Sequence, residues 1–165
     1  PFMDPSWYIL EPAYSLLLAL VQTQPQFVES YLTSSFLIQL THNYHSHDVR
    51  EQKQITQLIY RIYAAFSELR FSVKFALQMC IQEYLSNEGW CEGVGEALGF
   101  YAIILKGMSV PIREEHIVFL NKYLFALLKQ SRIEYLYANC EKCFKQYIEK
   151  IAKVTVVFTC IAFIE

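Results

Sequence analysis

A chain of 165 residues is long enough for one domain-sized core, and its length alone gives no reason to divide it into two domains. Hydrophobic residues make up 54% and charged residues 18% of the sequence, but the longest strongly apolar stretch, residues 154–164, is too short to span a bilayer. The formal net charge of −2 gives no global positive field that would attract nucleic acid. We therefore expect a soluble protein with large buried surfaces, no membrane span and no nucleic-acid partner.

The cysteine content indicates a reducing compartment. The five cysteines are odd in number and no secretory signal precedes them, which favours the cytoplasm, the nucleus or both. The sequence begins at Pro1 and ends in an apolar run at Ile164-Glu165, as we expect of a segment cut from a longer protein.

Hydrophobic residues recur with a helical period through most of the chain, and strand signals are nearly absent. The fold class predicted from this pattern is all-α. The predicted helices, separated by proline, glycine or polar segments, are 7–22, 27–44 (as one helix or two short ones), 48–66, 69–86, 91–106, 111–128, 134–149 and 151–164. Asp48 with Glu51 predicts a capping box at the third start. Pro111 suits the first turn of the sixth helix, where Glu114 and Glu115 complement the positive dipole end.

The helix starts at 48, 91 and 134 are equally spaced, and this spacing is typical of a repeat. A two-helix unit of roughly 40–47 residues is the period of HEAT and armadillo arrays, whereas a helical bundle would not need such regularity. We predict a HEAT/armadillo-like helical repeat solenoid, a fragment of a curved superhelix, with 1–165 as a single array within a longer domain. Since every second helix of such an array lies in one layer, helices 48–66 and 91–106 should be neighbours lining one face.

Most catalytic motifs are missing from the sequence. The glycines of GVGEALG (93–99) imitate a dinucleotide-binding pattern, but the last spacing is wrong and no strand precedes them, so they indicate close helix packing. Cys140 and Cys143 form one C-x-x-C pair without a second, which indicates core filling. Because no convergent acid, base or nucleophile set occurs, we predict no catalytic residue, no cofactor site and no enzyme.

Three histidines precede the third helix. His42, His45 and His47, together with Asp48, could reach one metal ion. Loop histidines are commonly solvated, however, and no cluster of carboxylates or cysteines elsewhere in the sequence would supply further ligands. We therefore predict no metal site, and a small metalloenzyme remains the alternative that metal analysis would test.

One helix surface is unusual in its side chains. Tyr60, Tyr63, Ser67 and Arg70 form a stripe beside the apolar face, with Arg61 about a quarter turn from Tyr60. Solvated helix faces usually carry lysine, glutamate and glutamine instead.

Residues of the following helices complete a possible groove. If the layers stack as predicted, Phe100 and Ile104 form an apolar trough beside the Tyr–Arg stripe, with Arg113 and His116 at one end. An apolar floor with a cationic rim suits a short extended peptide that carries hydrophobic anchors and an acidic residue. Alternatively, the tyrosines cap the core and the arginines pair with Glu68 or Glu96.

Three stretches resemble the B-prime regulatory subunits of protein phosphatase 2A: DVREQ at 48–52, YRIYAAFSELR at 60–70 and, above all, KGMSVPIREEHIVFLNKYL at 106–124. The resemblance runs without an evident gap from about Phe36 into the sixth predicted helix and is looser towards both ends. It implies a non-catalytic HEAT-like solenoid that joins a scaffold subunit and a catalytic subunit in a heterotrimeric phosphatase. The family domain is considerably longer than this chain.

The resemblance also implies a role for the groove, because B-prime subunits recruit substrates and adaptors through short motifs of the form Leu-x-x-Ile-x-Glu, often strengthened by phosphorylation. The implied peptide-binding residues are Tyr60, Arg61, Tyr63, Arg70, Phe100, Ile104, Arg113 and His116. Arg113 stands where the family usually has lysine, Tyr60 where it has histidine and Phe100 where it has isoleucine. We therefore expect the class of recognition to persist while the preferred motif shifts.

Two further alternatives remain open for the function. Another HEAT or armadillo adaptor, such as a transport receptor, would commonly display a ladder of Trp and Asn on its inner face, and the sequence has only Trp7 and Trp90. A degenerate paralogue would keep the fold without joining the phosphatase.

Overall fold

The computed structural model describes residues 2–86, 93–130 and 133–162, with side chains described as far as residue 152. Within these ranges the backbone forms helices and turns and no strand, so the all-α prediction is confirmed. The α-helices are α1 (Trp7–Thr23), α2 (Pro25–Val28), α3 (Ser34–His42), α4 (Val49–Ala65), α5 (Arg70–Ser86), α6 (Val94–Lys106), α7 (Glu114–Phe119), α8 (Phe125–Leu127) and α9 (Tyr137–Ala162). Glu29–Tyr31, Asn43–His45 and Ile133–Tyr135 are 3₁₀ turns, and Leu120–Leu124 is π-helical.

The helices pack in two layers. In one layer α1 lies against α4, α4 against α6 and α6 against α9, while α3, α5 and the π-helical segment form the other. The prediction that the helices at 48–66 and 91–106 are neighbours is therefore confirmed. α4, α6 and α9 begin at Val49, Val94 and Tyr137, close to the regular spacing expected. The chain is an all-α helical repeat array.

The neighbouring helices α3 and α5 run in the same direction. Between α3 and α5, the hydroxyls of Ser34 and Ser72 lie 2.9 Å apart, and the Thr41 hydroxyl donates to the Ala76 carbonyl at 3.3 Å further along both helices. Parallel neighbours are what the stacking of successive helix pairs produces. This register brings the C-terminal ends of α3 and α5 to the same edge of the layer.

The apolar stripe of α4 explains its place in the core. Ile55, Leu58, Ile59 and Ile62 recur at helical spacing and are each at most 1% exposed. Their burial is worth about 1.5–3 kcal/mol per side chain, which helps to fix α4 between α1 and α6. Among the described residues, no helix is both long and apolar enough to cross a membrane.

Asp48 begins α4, but not through the predicted capping box. Its carboxylate accepts the Arg50 backbone N–H at 2.9 Å and also binds the Arg50 guanidinium, which holds the pKa of Asp48 well below its ordinary value. The Glu51 carboxylate does not accept the Asp48 backbone N–H, which donates to the Ser46 hydroxyl instead. The Glu51 carboxylate instead accepts the Tyr14 phenol of α1 at 2.8 Å, so the reciprocal half of the prediction is wrong.

Several predicted helix boundaries need correction. The segment 27–44 is divided, since Thr33 caps α3 by accepting the Phe36 N–H at 3.2 Å. Pro111 lies before α7 rather than in its first turn, although Glu114 and Glu115 occupy that turn as predicted.

The break predicted between 149 and 151 is wrong, because no proline or glycine interrupts α9 there. The predicted helix positions 91–92 and 163–164 lie outside the described residues.

The small residues of α6 permit close packing, as predicted. The Gly93 N–H donates to the Tyr44 carbonyl at 3.0 Å, and a Cβ at Gly93 would lie 2.6 Å from that same oxygen. A Cβ at Gly95 would lie 3.2 Å from the Asn139 amide nitrogen of α9. Glycine is required at 93 because another backbone occupies the space, not because a ligand does.

Cys140 and Cys143 fill the core, as predicted. Both thiols are free and at most 1% exposed, on the face of α9 that packs against α6. Burial raises the pKa of Cys140 to about 11 and that of Cys143 to about 12, the latter also through the neighbouring Cys140. Thiols held in this protonated form are poor nucleophiles and poor metal ligands.

The Gly93 contact gives a stability prediction. We expect Gly93→Ala to lower the free energy of unfolding by about 1–3 kcal/mol, because the added methyl group would overlap the Tyr44 backbone. Gly107→Ala is the matched control, since its Cβ would meet nothing closer than the Ile104 carbonyl oxygen at 3.5 Å. Urea denaturation of both variants measures the difference, and equal stabilities would contradict the contact.

Candidate functional site

A cavity of about 500 Å³ opens where the C-terminal end of α4, the start of α5 and the end of α6 meet the segment 107–116. We call it the basic cavity. Its lining residues are Tyr63, Ser67, Arg70, Phe71, Lys74, Ile104, Gly107, Met108, Ser109, Arg113, Glu115 and His116.

Arg70 joins α4 to α5 at the wall of the basic cavity. Its Nε donates to the Tyr63 carbonyl at 3.2 Å, and its guanidinium lies 5.4 Å from the centroid of the Tyr63 ring. The cation thus caps the C-terminal end of α4 and complements its dipole while it holds the ring in place. Burial raises the pKa of Tyr63, with the charge of Glu115 acting in the same direction and that of Arg70 against it.

Ile104 and Met108 supply the apolar floor. They are 5% and 6% exposed, at the end of α6 and in the turn that follows it. α9 holds this segment from behind, since Lys150 Nζ donates to the Met108 carbonyl at 2.8 Å and the Tyr147 phenol donates to the His116 carbonyl at 2.6 Å. The floor and one end of the basic cavity are therefore fixed by a helix that does not line it.

His116 is a neutral group in this site. It is 5% exposed, and its Nδ1 is buried without a hydrogen-bond partner among the described residues. Burial lowers the pKa of His116 below 6.5, with the neighbouring Lys74 and Arg113 acting in the same direction and Glu115 against them. At neutral pH the imidazole offers hydrogen bonding rather than positive charge.

The positive field of the basic cavity comes from Arg70, Lys74 and Arg113. Lys74 Nζ lies 2.6 Å from Glu115, the one carboxylate among the lining residues. Burial opposes the ionisation of Glu115, but the hydrogen bond and charge of Lys74 lower its pKa overall. Three cations against one carboxylate leave a formal excess of positive charge.

The structure brings together five of the eight sequence-predicted site residues. Those that line the basic cavity are Tyr63, Arg70, Ile104, Arg113 and His116. Phe100 does not line it, since this ring is 2% exposed and packs edge-to-face against Tyr60 at 6.0 Å and Tyr63 at 5.8 Å. Tyr60 and Arg61 also lie outside the lining and are exposed, Tyr60 by 44%.

The alternative arrangement receives mixed support. Tyr63 is half-buried against the core, as that alternative expects. However, across the described ranges neither Arg61 nor Arg70 forms an ion pair with Glu68 or Glu96.

Sequence reasoning missed Lys74, Met108 and Glu115 in this site. Lys74 carries a usable signal, because it follows Arg70 by one helical turn and therefore shares its face. Met108 carries none, since it lies in a turn whose path depends on α9. The sequence position of Glu115 indicates only that it complements the dipole of α7.

The two-layer array and its basic cavity define a helical repeat protein with a built recess at the edge of one layer. A family model described as protein phosphatase 2A regulatory B subunit (B56 family) matches residues 1–162. The chain belongs to this family.

Curated relatives carry corresponding names. The chain is 29% identical over 157 residues to the B' beta isoform of the serine/threonine protein phosphatase 2A 57 kDa regulatory subunit of Arabidopsis thaliana, a match that covers 93% of the chain and 32% of the relative. It is 28% identical over 158 residues to the serine/threonine-protein phosphatase 2A regulatory subunit pptr-1 of Caenorhabditis elegans, covering 94% and 29% respectively. The chain thus spans about a third of the length of these relatives.

The environment of His116 gives a prediction on pH dependence. Its folded-state pKa lies below the ordinary value of 6.5, so on acidification the unfolded chain takes up this proton before the folded protein does. The contribution of His116 to stability is therefore complete above pH 6.5 and is lost as the pH falls below it. We expect His116→Gln to flatten the decline in unfolding free energy between pH 7 and about pH 5.5.

Urea denaturation of both proteins at several pH values measures this difference. The values at pH 8 give the constant structural cost of the substitution, because the wild-type imidazole is neutral there in both states. Parallel profiles below pH 6.5 would contradict the assignment of a lowered pKa to His116.

Proposed function

We propose that the protein is a non-catalytic regulatory subunit of protein phosphatase 2A that recruits substrates or adaptors through the basic cavity. The observation that carries this proposal is an apolar floor beside three cations in one recess of about 500 Å³. Membership of the regulatory B subunit family supports the assignment to the phosphatase. In this role the protein acts in the cytoplasm, the nucleus or both.

The proposed ligand is a short extended segment of the Leu-x-x-Ile-x-Glu type. An aliphatic anchor would lie on Ile104 and Met108, against the ring of Tyr63. The glutamate or a phosphate group would meet the field of Arg70, Lys74 and Arg113, where a charge-assisted hydrogen bond contributes about 1.5–3 kcal/mol. The unpartnered Nδ1 of His116 would gain a polar partner in the bound state.

Tyr60, Arg61 and Phe100 would contribute outside the cavity itself. The exposed side chain of Tyr60 continues the Tyr63 surface along α4, so a peptide longer than the recess would pass it. Arg61, also exposed, stands about a quarter turn from Tyr60 and would add positive charge to the flank of this path. Phe100 would act by supporting the rings of Tyr60 and Tyr63 from below rather than by contact with the anchor. A different residue at this position would tilt both tyrosines, and this is how Phe100 would shift motif preference.

A peptide titration tests the groove. We expect Arg70→Glu to weaken binding of a Leu-x-x-Ile-x-Glu peptide by about tenfold or more, because one charge-assisted bond is replaced by repulsion. Arg61→Glu should weaken it as well, by less, since Arg61 lies outside the lining of the cavity. Lys53→Glu is the matched control, because it makes the same charge change on exposed α4 surface about 15 Å from Tyr63 along the helix.

Fluorescence anisotropy at two salt concentrations measures these affinities. Wild-type binding should weaken as salt rises, since the cations are partly exposed. Unchanged binding by both Arg70→Glu and Arg61→Glu, or an equal loss with Lys53→Glu, would show that the groove assignment is wrong.

Assembly with the phosphatase is the second part of the proposal. We expect the intact protein to co-purify with both the scaffold subunit and the catalytic subunit. Co-purification with neither of them would favour a degenerate paralogue or a different helical repeat adaptor. Because peptide binding is measured separately, failure of assembly and failure of the groove are distinguishable.

A further inference from the structure

Two histidines and a glutamate converge at the edge of the α3–α5 layer. His42 Nδ1 lies 3.4 Å and His45 Nε2 lies 3.1 Å from the same carboxylate oxygen, Oε2 of Glu83. One ligand atom from each of the three residues lies within 4.8 Å of the other two. Sequence reasoning therefore missed Glu83, a carboxylate that lies against two of these histidines.

The backbone explains this convergence. His42 ends α3 and His45 ends the 3₁₀ turn Asn43–His45, where residues three apart project on the same side. Glu83 lies in the last turn of α5, which runs parallel to α3 and ends at the same edge. The sequence does not indicate Glu83 as a neighbour, because it is distant from the histidines along the chain and only the parallel register of α3 and α5 brings it to them.

We propose that His42, His45 and Glu83 form a binding site for a divalent transition metal ion, with zinc as the preferred ion. Tetrahedral zinc with bonds of about 2.0–2.2 Å places its ligand atoms about 3.3–3.5 Å apart, close to the two observed nitrogen–oxygen separations. Imidazole nitrogen and carboxylate oxygen are zinc ligands, whereas magnesium and calcium prefer all-oxygen sites. The His42 ring is exposed, so its side chain would be free to adjust when the ion binds.

The turn that carries the histidines is already fixed. Tyr44, between them, is fully buried, and its carbonyl accepts the Gly93 N–H. Asn43 Nδ2 donates to the Tyr14 hydroxyl at 3.2 Å. A turn held in this way loses little conformational freedom when the metal binds, which favours affinity.

Solvent access leaves room for the ion and for a water molecule as fourth ligand. The side chains of His42, His45 and Glu83 are 63%, 24% and 34% exposed. Neighbouring groups do not compete for the position, since Asp48 is engaged by Arg50 and by the Asp4 N–H. The ring of His47 lies against Phe2, with centroids 6.0 Å apart, and does not belong to the cluster.

The metal site is separate from the basic cavity. Glu83 follows Arg70 by almost the whole of α5, about 20 Å along the helix axis. Bound zinc would connect α3 and its turn to α5 and thereby stabilise the contact between successive repeats. Peptide binding in the basic cavity does not depend on it, so the two proposals succeed or fail independently.

Calorimetric titration of the intact, metal-stripped protein with zinc chloride tests the site. We expect one zinc ion per chain, and we expect His45→Ala and Glu83→Gln each to weaken binding at least about tenfold. The matched control is His47→Ala, which removes a histidine from the same segment and should leave the affinity unchanged. Magnesium chloride should give no comparable binding.

The following results of the titration would overturn the proposal. A dissociation constant above about 1 mM, or an equal loss with His47→Ala, would show that exposed histidines bind zinc without a built site. Wild-type affinity in Glu83→Gln would remove the carboxylate from the site. Zinc should also raise the melting temperature of the wild type and of His47→Ala but not of His45→Ala, and circular dichroism confirms that each variant is folded.

Discussion

The contact between Gly93 and the Tyr44 carbonyl is the constraint on which both candidate sites depend. Tyr44 lies in the turn between the two layers, and Gly93 is the residue from which α6 begins. Because the backbones of Tyr44 and Gly93 meet without an intervening side chain, the 3₁₀ turn Asn43–His45 fixes the position at which α6 begins. The position of α6 in turn places Ile104, near its other end, in the lining of the basic cavity. His42 and His45 flank Tyr44 in the sequence, so the same contact fixes the backbone that carries them.

Aromatic packing carries this constraint to the wall of the basic cavity. Phe100 projects from α6 between Tyr60 and Tyr63 of α4, and edge-to-face contact with both rings fixes their tilt. Arg70 acts on the same wall from the other side by binding the Tyr63 carbonyl and covering its ring. A substitution at Phe100 would therefore change the proposed recognition surface without lying on it.

The sequence was sufficient for features that depend on one helix or on the repeat period. The equal spacing of starts predicted that α4 and α6 are neighbours, and this adjacency gathers Tyr63, Arg70 and Ile104 in one recess. Features that depend on register between helices were missed. Glu83 reaches the histidines only through the parallel packing of α3 and α5, and Glu51 leaves its expected cap because Tyr14 of α1 lies within hydrogen-bonding distance.

The placement of charge in the basic cavity has a consequence for how an acidic ligand would bind. Lys74 is 14% exposed and already paired with Glu115, whereas Arg113 is exposed and makes no ion pair within the described part of the chain. An incoming carboxylate would meet Arg113 and Arg70 without displacing an internal partner, but it would have to compete with Glu115 for Lys74. In the proposed complex, a phosphate group would compete more strongly for Lys74, because it carries more charge and more acceptor oxygens than a carboxylate. If the proposed motif binds in this cavity, this difference would be a physical reason for phosphorylation to strengthen it, and the discrimination would depend on Lys74 rather than on the neutral His116.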